Sequence, residues 1–333
     1  MMLFDKKNLR NRIKKLFLLS FMYLFFTGHA FSQSYLPYYH LVNEARWQSF
    51  KKNHAVADSL YQAAFLLVDY IQPEHSLDAA TNAMAFENAK SCYEYSLQSL
   101  LNGMHWEEIK KIDKFPLTEW FLKLQLQKDS IESVFLERSD KYWREIVDSM
   151  IVRDQFDRAG GGDQQKKYDS INLCIIKEQI KKHGKMPGLR EIGYDGVDKL
   201  NVIFRHIDQR YRLDSLAHVI IQQSLYGDFS PEIPAIFIDH ACWFDADLPY
   251  YFTRAVFGQL MLSRGESILV PFRNRDCVDK IRYELGLMPL ERMIEMNDIK
   301  VYTDEEFEER FKGLFMTTPP RRPFIINCDI SEL

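Results

Sequence analysis

The sequence predicts a mainly α-helical protein, with helical hairpins first and then a C-terminal domain that is all-α or α with a minor β element. Two observations carry this prediction. Small residues recur at a spacing of thirty-five positions, and farther along the chain apolar residues recur at the period of a helix. Between positions 196 and 244 no alternating stretch is long enough for a strand, and Gly, Pro or Asp bound each helical stretch.

Residues 1–32 have the pattern of a secretory signal peptide. Six basic residues between Lys6 and Lys15 precede the apolar run 16–26, and Ala30 and Ser32 supply the small residues that favour cleavage after Ser32. The run is shorter than the roughly 20 residues that span a bilayer, and no Cys near the cleavage point offers a lipid-attachment site. We therefore expect an exported protein, periplasmic or extracellular, without a transmembrane anchor after cleavage. The alternative is an uncleaved N-terminal anchor.

Composition argues against several functions. Without its first 33 residues the chain holds 37 basic and 46 acidic residues, a net charge of −9, so nucleic acid is not an expected partner. The five Cys form no Cys-x-x-Cys pair, and their odd number favours buried thiols, although Cys277 and Cys328 are a candidate disulfide. No nucleotide- or metal-binding motif is present, so we predict neither a cofactor nor a metal site.

An internal repeat occupies residues 34–110. Small residues recur where two antiparallel helices must approach closely, and an Asn recurs at the turn between them, where it tolerates unusual backbone angles. Gly103 is expected to end the last helix of the second copy. The matched positions are Ala45 with Ala80, Asn53 with Asn88, Ala57 with Cys92, Tyr61 with Ser96, and Ala64 with Ser99.

The first copy resembles a tetratricopeptide repeat. Leu41 and Ala45 stand on its first helix, and Ala57, Tyr61 and Ala64 stand on its second. The resemblance covers residues 36–109 and implies a concave face that commonly holds an extended peptide or a partner helix. The candidate peptide-binding residues are the aromatic side chains of Tyr38 and Trp47.

Residues 111–152 are expected to cap the two repeats, because such units cannot bury their apolar faces alone. We predict one long amphipathic helix from residue 117 to about residue 158, the alternative being two shorter helices with a bend. Its two faces consist of Ile131, Phe135, Tyr142, Ile146 and Met150 on the apolar side, and of Glu132, Glu137, Asp140, Lys141 and Arg144 on the solvated side.

Residues 153–300 are predicted to form a second, helical domain. A loop at 160–162 opens it, a short strand is expected at 299–302, and residues 301–333 form a C-terminal helix, capped by Thr303, and an extended tail. The helices are predicted at 168–183, 196–208, 213–226, 231–244, 276–287 and 290–296.

Several short motifs follow one another between residues 147 and 297. They are Asp154-Gln155 with Arg158, Asp169 with Asn172, the turn 184–187, Gly193, His206-Ile207-Asp208, Asp239, Val278-Asp279-Lys280-Ile281-Arg282, Gly286-Leu287 and Pro289-Leu290. Their order resembles an uncharacterised domain-of-unknown-function family that follows tetratricopeptide-like repeats in exported proteins of the Bacteroidota. The chain departs from that family at Asp239-His240, where the family has Asp-Arg. Because the family has no assigned reaction, the resemblance implies candidate residues and no mechanism.

Five polar residues of the second domain are the candidate catalytic group. A histidine titrates near neutral pH, which suits His206 as a general acid or base, and Arg158 would grip an anionic group that Asp154 orients. The alternatives are structural: an exposed Asp154–Arg158 pair, and a His206 that bonds a neighbouring helix end. The full set is Asp154, Arg158, His206, Asp208 and Asp239.

The function predicted from these patterns is that of an exported helical-repeat protein, a protein or peptide interaction or scaffold module of the cell envelope. Its expected partner is an envelope protein or peptide. The alternative is a hydrolase-type enzyme that uses a polar pocket in residues 153–300. No motif of a serine hydrolase or a zinc protease favours a specific enzyme class.

Overall fold

Helices dominate the part of the chain that the structure describes. The structure is a computed structural model, and it describes residues 34–156, 163–207, 215–244, 260–263, 266–269 and 275–301 and the single residues 306 and 309. Fourteen α-helices, one 3-10 turn and three short strands lie within these ranges, so the fold is mainly α, as the sequence predicts. None of the helices in these ranges is long and apolar enough to cross a membrane. The predicted signal peptide, the loop 160–162 and nearly all of residues 302–333 lie outside them.

Two helical hairpins begin the described chain. Helices α1 (Leu36–Phe50) and α2 (His54–Phe65) form the first hairpin, and α3 (Pro73–Ala85) and α4 (Ala89–Leu101) form the second. Apart from the recurrent Asn, all residues matched across the repeat are buried, with exposed fractions of 0 or 1%. Apart from Tyr61, the side chains at these positions are small, and they let the two helices of each hairpin pack closely.

In the turns inside the hairpins, the recurrent Asn is not the residue with the unusual backbone angle. The residues with positive φ are Lys52 (62°) and Glu87 (64°), each immediately before the recurrent Asn. Asn88 instead caps α4, because its side-chain oxygen accepts a hydrogen bond from the Ser91 N–H at 3.1 Å. Asn53 precedes α2 at the same position without a capping bond from its side chain.

Residues 106–155 form several short helices, so the prediction of one continuous helix from 117 to 158 is wrong. The chain leaves the helical conformation at Ser139 (φ −78°, ψ 153°), and Asp140 caps the next helix by accepting from the Trp143 N–H at 3.1 Å. The elements are α5 (Trp106–Lys110), a 3-10 turn (Phe115–Leu117), α6 (Glu119–Leu126), α7 (Lys128–Arg138) and α8 (Lys141–Gln155).

Four longer helices follow, at the places that the sequence predicts but with shifted ends. They are α9 (Asp163–His183), α10 (Leu189–His206), α11 (Ala217–Leu225) and α12 (Glu232–Phe244). Helix α10 begins seven residues earlier than predicted, because the Glu191 side chain accepts from the Gly188 N–H at 2.9 Å and caps its start. Gly193 (φ 69°, ψ −175°) then kinks this helix. The helical period of the apolar residues after the kink therefore does not extend to the first turn.

A small sheet and two helices end the described chain. Strand β2 (Glu266–Leu269) pairs antiparallel with β1 (Leu260–Ser263) and parallel with β3 (Lys300–Val301). Helices α13 (Arg275–Leu285) and α14 (Leu290–Met296) connect β2 to β3. This sheet is the minor β element that the sequence prediction gave as one of two alternatives. Strand β3 lies within the predicted strand 299–302.

Helix α1 packs against the second half of the same chain. The Tyr39 hydroxyl donates to the Ser224 carbonyl at 2.8 Å, and the Asn43 amide donates to the Gly286 carbonyl at 2.8 Å. Two ion pairs add to this contact, Arg46 with Glu232 and Glu44 with Arg292. A large part of the α1 surface is therefore occupied by this chain itself.

Two of the five Cys side chains are described. Cys92 is buried, and burial raises the pKa of its thiol to about 12, whereas Cys174 on α9 is exposed. Both thiols are free. The expectation of buried thiols is therefore confirmed for Cys92 and wrong for Cys174, and the candidate disulfide Cys277–Cys328 lies outside the described side chains.

Candidate functional site

Two of the five predicted polar residues, Asp154 and His206, meet in the structure. Asp154 lies near the end of α8, His206 is the last residue of α10, and these two helices pack against each other. The His206 Nδ1 atom is 3.0 Å from each carboxylate oxygen of Asp154. The Asp154 side chain is 1% exposed and the His206 side chain is 31% exposed.

This pair has the geometry of a carboxylate that orients a histidine. A neutral His206 that carries its proton on Nδ1 donates to Asp154 and keeps Nε2 as an acceptor, which is the form a general base needs. The Gln155 amide also donates to Asp154, at 2.6 Å. The same bonds satisfy a buried carboxylate, so the geometry fits a structural role as well.

The other three candidates are not shown beside this pair. Arg158 and Asp208 lie outside the described residues. Asp239 on α12 is 9% exposed, and its negative charge acts on Arg282. Burial lowers the pKa of Arg282 to about 10, against the opposing effect of Asp239. A single pocket that gathers all five residues stays a prediction.

The assignment of Tyr38 as a peptide-binding residue is corrected by its burial. Its side chain is fully buried, and its hydroxyl accepts from the Gln72 N–H at 3.1 Å and lies 2.8 Å from His75 Nδ1. The ring also packs edge-on against Tyr35, with centroids 5.4 Å apart. Tyr38 therefore holds the first hairpin to α3 and offers no surface to a peptide.

Trp47, the second candidate peptide-binding residue, is half-buried at the edge of α1. Its ring stacks on Phe50 with centroids 5.6 Å apart, and the Lys51 ammonium lies 4.4 Å from its centroid. The Arg292 guanidinium lies 5.1 Å from the same ring. Two cations of this chain already interact with Trp47, and its role toward a peptide stays a prediction.

A groove of about 590 Å³ is a separate candidate for a ligand site. It lies where the α4–α5 connection meets α7, α8 and α10, and neither Asp154 nor His206 lines it. Its size is within the roughly 300–1,000 Å³ of ligand pockets. The apolar lining residues are Leu100, Met104, Trp106, Ile131, Phe135, Leu136, Val147 and Ile192, and the charged or titratable ones are His105, Glu107, Glu108, Lys128, Glu132, Arg144, Asp148, Asp195 and Lys199.

Two glycines allow the elements around the groove to approach. Gly103 (φ 90°) ends the second hairpin and Gly193 (φ 69°) kinks α10. A Cβ atom on Gly103 would stand 2.8 Å from the Gly193 Cα atom and 2.7 Å from the Phe135 ring. Only glycine fits both the backbone angle and this space, so Phe135 can pack over the two backbones and line the groove.

Most of the charged groups in the groove are paired within the chain. The Lys199 ammonium lies 2.8 Å from an Asp148 oxygen and 2.5 Å from an Asp195 oxygen. Burial tends to lower the pKa of Lys199, but the bonds to these two carboxylates outweigh it and raise the pKa. His105 Nε2 is 3.3 Å from Asp195. The titratable groups on this side of the groove therefore have partners within the chain.

Two cations of the groove have no ion pair within the described part of the chain: Lys128, which is exposed to water with its ammonium 5.8 Å from the Trp106 ring, and Arg144. Arg144 is half-buried in the first turns of α8, and its guanidinium makes no hydrogen bond or ion pair within the described part of the chain. Its Nε atom is also shielded from solvent. A buried donor without an acceptor costs about 1–3 kcal/mol. The two terminal nitrogens are not shielded in this way, and they are open to an acceptor that the described chain does not supply.

Sequence reasoning missed Arg144, because it placed this residue on the solvated face of a single long helix. The break at Ser139 resets the helical phase, so faces assigned on one side of the break do not continue on the other. The signal that could have found the break is Asp140 three residues before Trp143, a helix-capping pattern in the middle of the predicted helix.

Comparisons with known proteins add no relative: no protein-family model, no curated protein and no solved structure matches the chain. Within the described ranges, no group of three or more His, Cys, Asp or Glu side chains is placed to hold a metal ion. The family resemblance stays an expectation, and the groove and its residues are the basis for a function.

Proposed function

We propose that this protein is an exported peptide-binding interaction module of the cell envelope, and that its ligand site is the groove between α7, α8 and α10. The observation that carries the proposal is a groove lined by apolar and charged side chains that contains a half-buried guanidinium, Arg144, without an acceptor in the described chain. The cell-envelope location rests on the signal-like pattern of residues 1–32.

The composition of the groove supports recognition of a polypeptide. Aromatic side chains and Arg are enriched among the residues that dominate binding energy at protein interfaces, and Trp106, Phe135 and Arg144 all line the groove. Paired charges such as Lys199 and Asp148 accompany the apolar residues and fit the polar rim of such interfaces.

The repeat surface formed by α1 is a weaker candidate for the ligand site. Its partners at Tyr39 and Asn43 come from the second half of the same chain, and Tyr38 is buried. An external peptide would have to displace these intramolecular contacts. The groove requires no such displacement, so it is the better site for a partner.

The proposal is tested by selecting a random peptide library on the full mature chain and on two matched leucine variants. Leu136 lines the groove and is 41% exposed, whereas Leu126 is 89% exposed and does not line it. We expect peptides selected on the wild type to lose at least 10-fold in affinity for Leu136→Glu, because a carboxylate would be placed among the apolar lining. Leu126→Glu should bind them unchanged.

Both leucines are exposed, so neither change should shift thermal unfolding by more than a degree or two. If the library yields no enriched peptide, or if Leu136→Glu and Leu126→Glu bind the selected peptides equally well, the groove is not the ligand site.

The second candidate function, a hydrolase-type enzyme, is supported by one observation, the Asp154–His206 pair. A buried carboxylate that holds Nδ1 of a half-buried histidine is a common arrangement in general acid–base catalysis. The described groove is not lined by either residue, however, so the groove does not supply this pair with a substrate site. The interaction module is therefore the proposal favoured by the geometry.

A further inference from the structure

The half-buried guanidinium of Arg144 indicates which chemical group the ligand presents to the groove. Of its nitrogens, only Nε is shielded from solvent, so the two terminal nitrogens are the atoms that a ligand can reach. They present parallel N–H groups at the spacing of the two oxygens of a carboxylate.

The other charged groups of the groove do not need a partner from a ligand. Lys199 is held by two carboxylates, and Glu107 and Glu108 are paired with Lys110 and Lys111. Glu132 is exposed to water on α7 and needs no protein partner. Lys128 has no ion pair in the described chain, but it is exposed to water, and its ammonium lies 5.8 Å from the Trp106 ring. Among these groups, Arg144 combines partial burial with the absence of any acceptor in the described chain.

The surroundings of Arg144 define what must accompany the carboxylate. Phe135, Leu136, Val147 and Ile192 line the same groove and offer apolar contact area. Five acidic side chains also line it, and they repel a doubly charged phosphate group more strongly than a singly charged carboxylate. A peptide with a carboxylate next to apolar side chains satisfies both conditions.

We propose that the groove binds a peptide segment in which a carboxylate, from an Asp or Glu side chain or from a free C terminus, stands beside apolar side chains, and that Arg144 binds this carboxylate bidentately. This inference rests on the proposed function. It adds the chemical class of the ligand and assigns the residue that selects it.

The test uses a random peptide library displayed with free C termini and selected on the full mature chain. The same selection is repeated on Arg144→Glu, on Arg144→Lys, and on Lys141→Glu as the control. Lys141 lies on the same helix, is 81% exposed and does not line the groove. Because Arg144 makes no side-chain bond within the described chain, its variants lose no intramolecular hydrogen bond or ion pair of the described chain, and a cooperative thermal unfolding transition checks that each one folds.

On the wild type and on Lys141→Glu we expect one consensus, with an acidic residue or the chain end at a fixed distance from apolar residues. Arg144→Glu should lose that consensus and enrich Lys or Arg at the same register, since a reversed charge selects the opposite one. Arg144→Lys should keep the acidic preference with roughly 10-fold weaker binding, because a single ammonium replaces a bidentate fork. An acidic residue inside the peptide identifies a side-chain carboxylate, and a consensus locked to the chain end identifies a C-terminal one.

Failure of the proposed function and failure of this inference alone are distinguishable. No enriched peptide on the wild type contradicts the proposed function and this inference with it. Peptides that bind the wild type, lose affinity for Leu136→Glu and yet carry no acidic residue or fixed chain end overturn this inference alone. An Arg144→Glu variant that selects the wild-type consensus unchanged also overturns this inference alone.

Discussion

Replacing Arg282 with Met is expected to lower the free energy of unfolding by about 3–5 kcal/mol, the usual cost of removing one partner from a buried set of charges. The Arg282 side chain is 1% exposed on α13, and its Nε donates to the Met288 carbonyl at 2.8 Å. Its positive charge lies in the field of Asp239 and Asp279. Met has a similar length, but it leaves the buried Asp239 carboxylate in a low-dielectric interior without the compensating cation of Arg282.

The measurement is chemical denaturation of the full mature chain, followed by circular dichroism. Lys280→Met is the matched control on the same helix, because the Lys280 side chain is 56% exposed and lies 3.7 Å from Glu284. We expect the control to change stability by at most about 1 kcal/mol. Equal effects of the two variants would show that Arg282 carries no buried charge interaction.

Replacing Glu74 with Gln is expected to stabilise the protein at pH 8 by about 3 kcal/mol and to change stability little at pH 4.5. Burial raises the pKa of Glu74 from its ordinary 4.5 to about 7, with further contributions from the negative charges of Glu232 and Asp78. One carboxyl oxygen of Glu74 is shielded from solvent and has no hydrogen-bond partner.

The sign of this pH dependence follows from the raised pKa. The folded state retains a proton that the unfolded chain releases above pH 4.5, so stability is lost as the pH rises from about 4.5 through about 7. Because Gln cannot ionise, the variant does not lose this stability as the pH rises. Unfolding free energies at pH 4.5 and pH 8 measure it, with Glu94→Gln, whose side chain is 57% exposed, as the control for replacing a carboxylate by an amide. A Glu74→Gln variant that is no more stable than wild type at pH 8 would mean that Glu74 ionises there without cost.

The local part of the fold could be predicted from the sequence because its causes are local. Ala57 and Ala64 had to be small for two helices to pack, and both are fully buried. Gly103 (φ 90°) ends its hairpin as expected, since only glycine adopts that angle without strain. Helix α14 (Leu290–Met296) lies at its predicted residues, between a Pro before it and an Asn after it.

Other features depend on long-range contacts and could not be predicted. The burial of Tyr38 results from its bonds to Gln72 and His75, more than thirty residues away. The contact between Asp154 and His206 was proposed from residue types, but their meeting depends on the packing of α8 against α10. Arg144 was assigned to solvent because a pattern of helical period does not show where a capped break resets its phase.

Binding of a partner in the groove between α7, α8 and α10, and not on the α1 surface, is the central feature of the proposed function. Hydrogen–deuterium exchange of the full mature chain, with and without a saturating selected peptide, tests it most directly. We predict slower exchange in α7, α8 and the first half of α10, with α1 and α3 unchanged. Slower exchange confined to α1 and α3, with the groove helices unaffected, would contradict it.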